Sequence, residues 1–237
     1  MWTGAWVVNE EQQLPTYDAA LRRVDLAPGD RVLDVGCGTG VFLRLCADRG
    51  AVVAGLDASA AMVAAARARV PEADLRVGDL QALPYADDAF DLVTGFASFF
   101  YADDVVAALR EAARVARPGA AVVVQVFGRP ERCDLEAIKP ARGRWRPEIV
   151  EELLPQAGLS VGEAFDVTWA YEYADDAALV RAMRAAGAVA LDGPAILRAL
   201  AGCRRGDGSY RVANEWRVVV ARTSTPAGSP TLYPAAV

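Results

Sequence analysis

The 237-residue chain contains no histidine. Its absence removes the usual general base, the Ser-His-Asp and Cys-His nucleophile systems and the commonest transition-metal ligand together. Any chemistry must come from carboxylates, tyrosine, lysine, thiol or positioning alone. Cysteine is sparse and scattered, at Cys37, Cys46, Cys133 and Cys203, with no CxxC pair. The expectation is therefore free thiols, no metal and a reducing, cytoplasmic compartment. No apolar run reaches the roughly eighteen residues of a membrane span. The opening MWTGAWVVNEEQQLP also lacks the basic, apolar, small-residue order of a secretory leader. Neither a membrane nor secretion is expected. There is no basic cluster, and a net charge of −6 argues against nucleic acid or an acidic surface as partner.

What is present is a large apolar fraction, 54% against 24% charged, enough for a sizeable core. Strand-length apolar runs alternate with stretches of helical period. Strands are expected at 31–35, 51–56, 75–77, 90–96 and 120–127. Helices are expected at 41–48, at 59–69 with Ser59 as cap, and at 105–116 before Pro118-Gly119. This alternation predicts an α/β fold with a parallel sheet between helical layers. Beyond Gly128 the pattern changes. A polar loop spans 129–148, a helix 147–158, a long strand 159–173, two helices 175–188 and 194–203, and a last strand 210–221. Two long strands around a helical pair predict an antiparallel edge with a helical lid. The proline-containing tail from Thr223 is expected to be disordered.

The stretch RVLDVGCGTG, residues 31–40, ends a strand in three alternating glycines. A phosphate loop of the GxxxxGK[ST] type is excluded because no lysine follows Gly40. A dinucleotide GxGxxG fingerprint would put its last glycine at Val41, although Asp57 stands about twenty residues on, where a ribose-binding acid belongs. The remaining pattern is an acid followed by GxGxG: Asp34, Gly36, Gly38, Gly40.

That segment resembles the first motif of class I S-adenosylmethionine-dependent methyltransferases, of the small-molecule type. Gly55–Ser59, Gly78-Asp79-Leu80 with Leu83-Pro84 and Phe90-Asp91, and Leu109–Gly119 are similar to later segments of the family in order and spacing, so the resemblance covers about 17–127. It implies a Rossmann-like, doubly wound, seven-stranded sheet, mostly parallel with an antiparallel last strand. It implies one domain over 1–222, with a cofactor-binding core at 26–127, a helical lid inserted at 174–208 and a tail at 223–237. It further implies S-adenosylmethionine as cofactor and S-adenosylhomocysteine as product. Asp34 would hold the positive end of the methionine. Backbone N–H groups around Gly36, Cys37, Gly38 and Gly40, with the following helix N-terminus, would receive its carboxylate. Asp57 and Ala58 would meet the ribose, and Asp79 and Leu80 the adenine edge. Met62, with Leu80 and Leu83, would wall the ring, the Phe96 carbonyl would face the ammonium, and Tyr17 would close over the cofactor.

Ligands of this fold lie at the carboxyl ends of the strands. Ser98, Phe100, Tyr101 and Arg129 are thus the acceptor-pocket candidates, with Trp145, Trp169 and Met183 closing from the lid and Trp2 and Trp6 from the N-terminus. No residue stands out as a catalytic base. Phe96-Ala97-Ser98-Phe99 is unlike the D/NPPY tetrapeptide of base and glutamine methylation, so a small aromatic or apolar acceptor is expected. A secondary-metabolite setting fits, as a monomer or homodimer. Methyl transfer to O, N or C is the leading expectation. A cofactor-binding relative that performs cyclisation, dehydration or decarboxylation is the alternative.

Overall fold

The computed structural model describes residues 10–138, 147–185 and 191–225. Seven strands form one sheet in the order β3-β2-β1-β4-β5-β7-β6. They are β1 (Arg31–Val35), β2 (Val52–Asp57), β3 (Asp74–Val77), β4 (Phe90–Phe96), β5 (Ala116–Phe127), β6 (Leu159–Tyr173) and β7 (Tyr210–Thr223). β1 to β5 pair in parallel, while β7 runs antiparallel to both β5 and β6. The mostly parallel sheet with an antiparallel last strand is as expected.

Burial explains which residues became strands. Val32, Leu33 and Val35 of β1 and Val122, Val123 and Val124 of β5 are at most 1% exposed, because helices cover both faces of the sheet. Four helices belong to this half: α1 (Leu14–Leu21), α2 (Val41–Ala47), α3 (Ala60–Arg69) and α4 (Val105–Val115). Ser59 caps α3, its hydroxyl accepting from Met62 N, and Asp104 caps α4 by accepting from Ala107 N at 2.9 Å. Arg114 at the end of α4 ties down the segment after β3. It donates to the carbonyls of Leu83 and Tyr85 and pairs with Glu111, which itself accepts from Leu83 N.

Three bounds differ from expectation. β5 begins at Ala116, ahead of Pro118-Gly119, because a register shift against β4 between Phe90 and Leu92 absorbs the proline. The helix expected over 147–158 is a short α5 (Ile149–Leu153) followed by a 3₁₀ turn at Pro155–Ala157, since Pro155 lacks the N–H needed to continue the helix. The tail does not detach at Thr223, the last residue of β7, whose hydroxyl donates to the Arg117 carbonyl at 2.5 Å. Residues 226–237 lie outside the described ones.

Between β6 and β7 lie α6 (Asp176–Ala185) and α7 (Gly193–Ala199). Leu179, Met183, Ile196 and Leu200 pack with Trp169, Tyr171, Tyr210 and Trp216 into a core of their own at this end of the sheet. Among the described residues no helix is long and apolar enough to cross a membrane.

Candidate functional site

β1 lies between β2 and β4, and the chain leaves it toward β2 and β3 on one side while β4 to β7 fill the other. The crevice beyond its carboxyl end is the switch point at which open α/β sheets bind ligands. A cavity of about 460 Å³ opens there. It is lined from the ends of β1 (Asp34, Gly36, Cys37, Gly38), β2 (Asp57, Ala58, Ser59, with Met62 and Leu80) and β4 (Phe96, Ala97, Ser98, Tyr101). Glu10, Gln13 and Tyr17 complete it from the N-terminal segment.

The glycine loop serves a different need from the one its sequence suggests. Gly36 has φ +78° and Gly38 φ +53°, a backbone region that L side chains rarely adopt. A Cβ on Gly36 would sit 2.4 Å from Ser98 Cβ, and one on Gly38 would sit 2.8 Å from Glu10 Oε2. Both glycines therefore make room for the protein's own side chains. The loop amides are also spoken for. Gly36 N and Cys37 N donate to the Leu56 carbonyl, Gly38 N donates to Asp57 Oδ2 at 3.0 Å, and Gly40 N donates to the Cys37 carbonyl. Thr39 N and Val41 N donate to the two Glu10 oxygens at 2.7 and 3.1 Å, and the Thr39 hydroxyl adds a third bond at 2.7 Å. The expectation that this helix N-terminus receives a ligand carboxylate is thus corrected: Glu10 occupies it. Gly40 is the N-cap residue of α2 and does not line the cavity.

Three carboxylates face the cavity, from Glu10, Asp34 and Asp57, and no basic side chain of the described residues lines it. Asp34 is 3% exposed; burial raises its pKa to about 7, against the lowering effect of the Thr94 hydroxyl that donates to Oδ1 at 2.7 Å. Repulsion from Glu10 and Asp57 adds to the rise. Burial likewise raises Glu10 and Asp57, opposed in each by the N–H groups they accept. A buried set of like charges without a counter-ion is unfavourable unless a cation completes it. The cavity lining is acidic, with no basic side chain among the described residues to balance it.

Asp57 accepts from Gly38 N on one oxygen and from Ser59 N, at 2.8 Å, on the other. Each oxygen keeps a further lone pair for a hydroxyl donor. Met62 and Leu80 flank this end. Asp79 does not line the cavity; it is exposed and accepts from Gln81 N at 2.9 Å, closing its own turn. Leu83 is also absent from the lining, buried in the core beneath α4. At the opposite end the Tyr17 ring meets Phe42 and Phe96 edge-on at 5.4 and 4.7 Å between centroids. Burial, with Glu10 and Asp34 nearby, raises the Tyr17 pKa well above its usual value, so it stays protonated.

Of the acceptor-pocket candidates, the structure brings Ser98 and Tyr101 to the cavity. The others are engaged elsewhere. Phe100 stacks obliquely on Phe127 at 4.8 Å between centroids. Trp169 donates its indole N–H to the Thr16 hydroxyl at 2.9 Å, and Met183 is 1% exposed within the core formed by α6 and α7. Arg129 is held by Glu215 at 2.8 Å and Asp166 at 3.1 Å. Trp2, Trp6 and Trp145 lie outside the described residues. Among the described residues no group of three or more His, Cys, Asp or Glu side chains could hold a metal ion. Sequence reasoning missed Glu10 and Gln13. Glu10 had a signal: α2 begins after a glycine with no capping side chain, so its free amides need an acceptor from elsewhere.

Fold and cavity together define a Rossmann-like domain with an acidic cavity at its switch point. Residues 33–124 match the family model described as a methyltransferase domain. A demethylmenaquinone methyltransferase of Renibacterium salmoninarum is 41% identical over 107 residues, covering 45% of this chain and 45% of its own length. The Corynebacterium glutamicum demethylmenaquinone methyltransferase is 37% identical over 140 residues, covering 59% of this chain and 57% of its own. The chain thus spans about half the length of the curated relatives it matches. Among solved structures, an S-adenosylmethionine-dependent methyltransferase of Aquifex aeolicus superposes with a TM-score of 0.63 at 18% identity, over 92% of this chain and 98% of that one. Over residues 33–124 the chain thus matches a methyltransferase domain, and its fold is that of the solved S-adenosylmethionine-dependent methyltransferase.

Proposed function

We propose that the chain transfers a methyl group from S-adenosylmethionine to O, N or C of a small, aromatic or apolar acceptor. The observation that carries this reading is the cavity at the end of β1, with three carboxylates and no basic side chain among its described lining residues. S-adenosylmethionine brings a sulfonium and an ammonium against a single carboxylate, a net positive charge with no phosphate, which suits that lining. A dinucleotide would bring two phosphates against Glu10, Asp34 and Asp57.

When bound, the cofactor supplies an electrophilic methyl group on a cationic sulfur. Asp57 offers its remaining lone pairs to the ribose hydroxyls, and Met62 and Leu80 offer an apolar seat for the adenine. Asp34, immobilised by Thr94, faces the positive end of the methionine. Tyr17, Phe96 and Tyr101 give the cavity an aromatic surface against which a planar acceptor would be oriented. Orientation of this kind supplies several orders of magnitude in rate, so the missing histidine is no obstacle.

Calorimetry with S-adenosylmethionine and with NAD, on the wild type and Asp57→Ala, tests the cofactor assignment. Binding of the former, weakened at least tenfold by the substitution, is the expected result; binding of NAD in its place refutes it. Release of S-adenosylhomocysteine with candidate acceptors tests transfer. Product formed without that release would favour the non-methylating reading, a cyclisation, dehydration or decarboxylation.

A further inference from the structure

Two polar groups that line the cavity, Ser98 and Gln13, have no role in the proposal so far. Ser98 is 6% exposed, and its hydroxyl is buried without a hydrogen-bond partner. A buried hydroxyl left unpaired costs free energy, and such groups are few in native structures. Its placement is also expensive. Ser98 follows Ala97, a non-glycine residue at φ +54°, and it is wedged between Gly36 and Gly95. A Cβ on Gly95 would lie 2.8 Å from Ser98 Oγ. Backbone held in a sparsely populated region concentrates where a side chain must be aimed. The second group is Gln13, which lines the same cavity and is 2% exposed. Its Oε1 accepts from Gln125 Nε2 at 3.4 Å, a contact that orients the Gln13 amide. Gln125 is fully buried on β5, with its own Oε1 unpartnered, and its main-chain carbonyl accepts from Ala97 N.

We infer that the Ser98 hydroxyl, with the Gln13 amide held by Gln125, forms a neutral hydrogen-bonding subsite that selects acceptors bearing an uncharged hydroxyl group on an apolar ring. The inference rests on the proposed function above. A hydroxyl both donates and accepts, and so does Ser98 Oγ, so the pair satisfies each other. The Gln13 amide presents N–H to an acceptor oxygen. No basic group of the described lining is available to a carboxylate, and Asp34 and Glu10 repel one. Gln125 is a positioning residue; it touches Gln13 and does not line the cavity.

The test uses the full chain saturated with S-adenosylhomocysteine and matched probes: p-cresol against toluene, and 2-naphthol against naphthalene and 2-naphthoate, with binding followed by ligand-observed NMR. Each hydroxylated probe should bind about tenfold tighter than its parent, and 2-naphthoate more weakly than 2-naphthol. Ser98→Ala should erase most of the hydroxyl preference, and Gln13→Leu part of it, with S-adenosylhomocysteine affinity changed less than threefold in both. Absence of any hydroxyl preference in the wild type overturns the inference, as does tighter binding of 2-naphthoate. If Ser98→Ala weakens S-adenosylhomocysteine instead, the hydroxyl belongs to the cofactor and the inference is wrong. Failure of S-adenosylhomocysteine to bind the wild type would strike the proposed function itself, which separates the two failures.

Discussion

The Glu10 carboxylate and the Thr39 backbone amide, 29 residues apart in sequence, meet at 2.7 Å. One acid thereby caps α2, closes the glycine loop and fastens the N-terminal segment across the cavity. Glu10→Ala should therefore cost about 1–2 kcal/mol, the range of a lost helix cap. For a chain of this length that lowers the melting temperature by about 2–8 °C. Hydrogen exchange should locate the effect, with the Thr39 and Val41 amides losing protection well before those of β1. Unchanged protection at Thr39 would show that the loop holds itself.

Asp34 is predicted to trade stability for binding. Its folded-state pKa of about 7 exceeds the usual carboxylate value of 3.8, so the folded chain holds a proton that the unfolded chain releases between these pH values. Stability from this group therefore falls as pH rises from about 4 to 7, by on the order of 4 kcal/mol in total. Glu10 and Asp57, also raised, act in the same direction. Asp34→Asn should raise the melting temperature of the ligand-free protein at pH 8 more than at pH 5, since Asn can still accept from the Thr94 hydroxyl. It should also abolish measurable binding of S-adenosylmethionine. In the wild type, affinity for that cation should rise as pH increases from 6 to 8. A flat pH profile would mean that Asp34 is already ionised at pH 6.

Gly36 and Ser98 give a prediction in which two substitutions rescue each other. Gly36→Ala meets both the positive φ and an overlap with Ser98 Cβ at 2.4 Å. The expected loss is about 2–4 kcal/mol. Ser98→Gly removes the overlap but not the backbone strain. The double variant should recover part of the loss, with a coupling of about 1–2 kcal/mol in a denaturation cycle. Strict additivity would place the cost in the backbone alone.

The sheet was legible because its strands are local segments rich in apolar, β-branched and aromatic residues. Arg31–Val35, Phe90–Phe96 and Leu159–Tyr173 begin and end at the residues where those segments do. Side chains that take part in the cavity through one strand end, such as Asp34, Asp57 and Phe96, were legible from motif order for the same reason. What escaped depends on long-range closure. Glu10 reaches α2 from a segment with no apolar period, and Gln13 meets Gln125 across 112 positions. Trp169 and Met183 read as cavity residues because both are large and close to the expected lid. The core built by α6 and α7 takes them instead, since burying an indole and a thioether among apolar neighbours is favourable without any ligand.

Arg129 illustrates the same point through charge. A lone arginine after a central strand reads as an anion contact, but Glu215, 1% exposed on β7, claims it. Arg129 and Arg132 hold the Glu215 carboxyl below the usual carboxylate range, so the stability this pairing contributes is present at neutral pH and lost as pH falls through that lowered value. Arg129→Met should destabilise the protein by about 2 kcal/mol at pH 7, because Arg132 alone then faces a buried charge. Glu215→Gln in the same background should restore much of the loss by removing that charge. Neither change should alter S-adenosylmethionine affinity by more than about twofold, a ratio below 0.5 kcal/mol. Calorimetry on the Arg129 variant decides between the two roles: a large loss of affinity with little loss of stability would return Arg129 to the cavity.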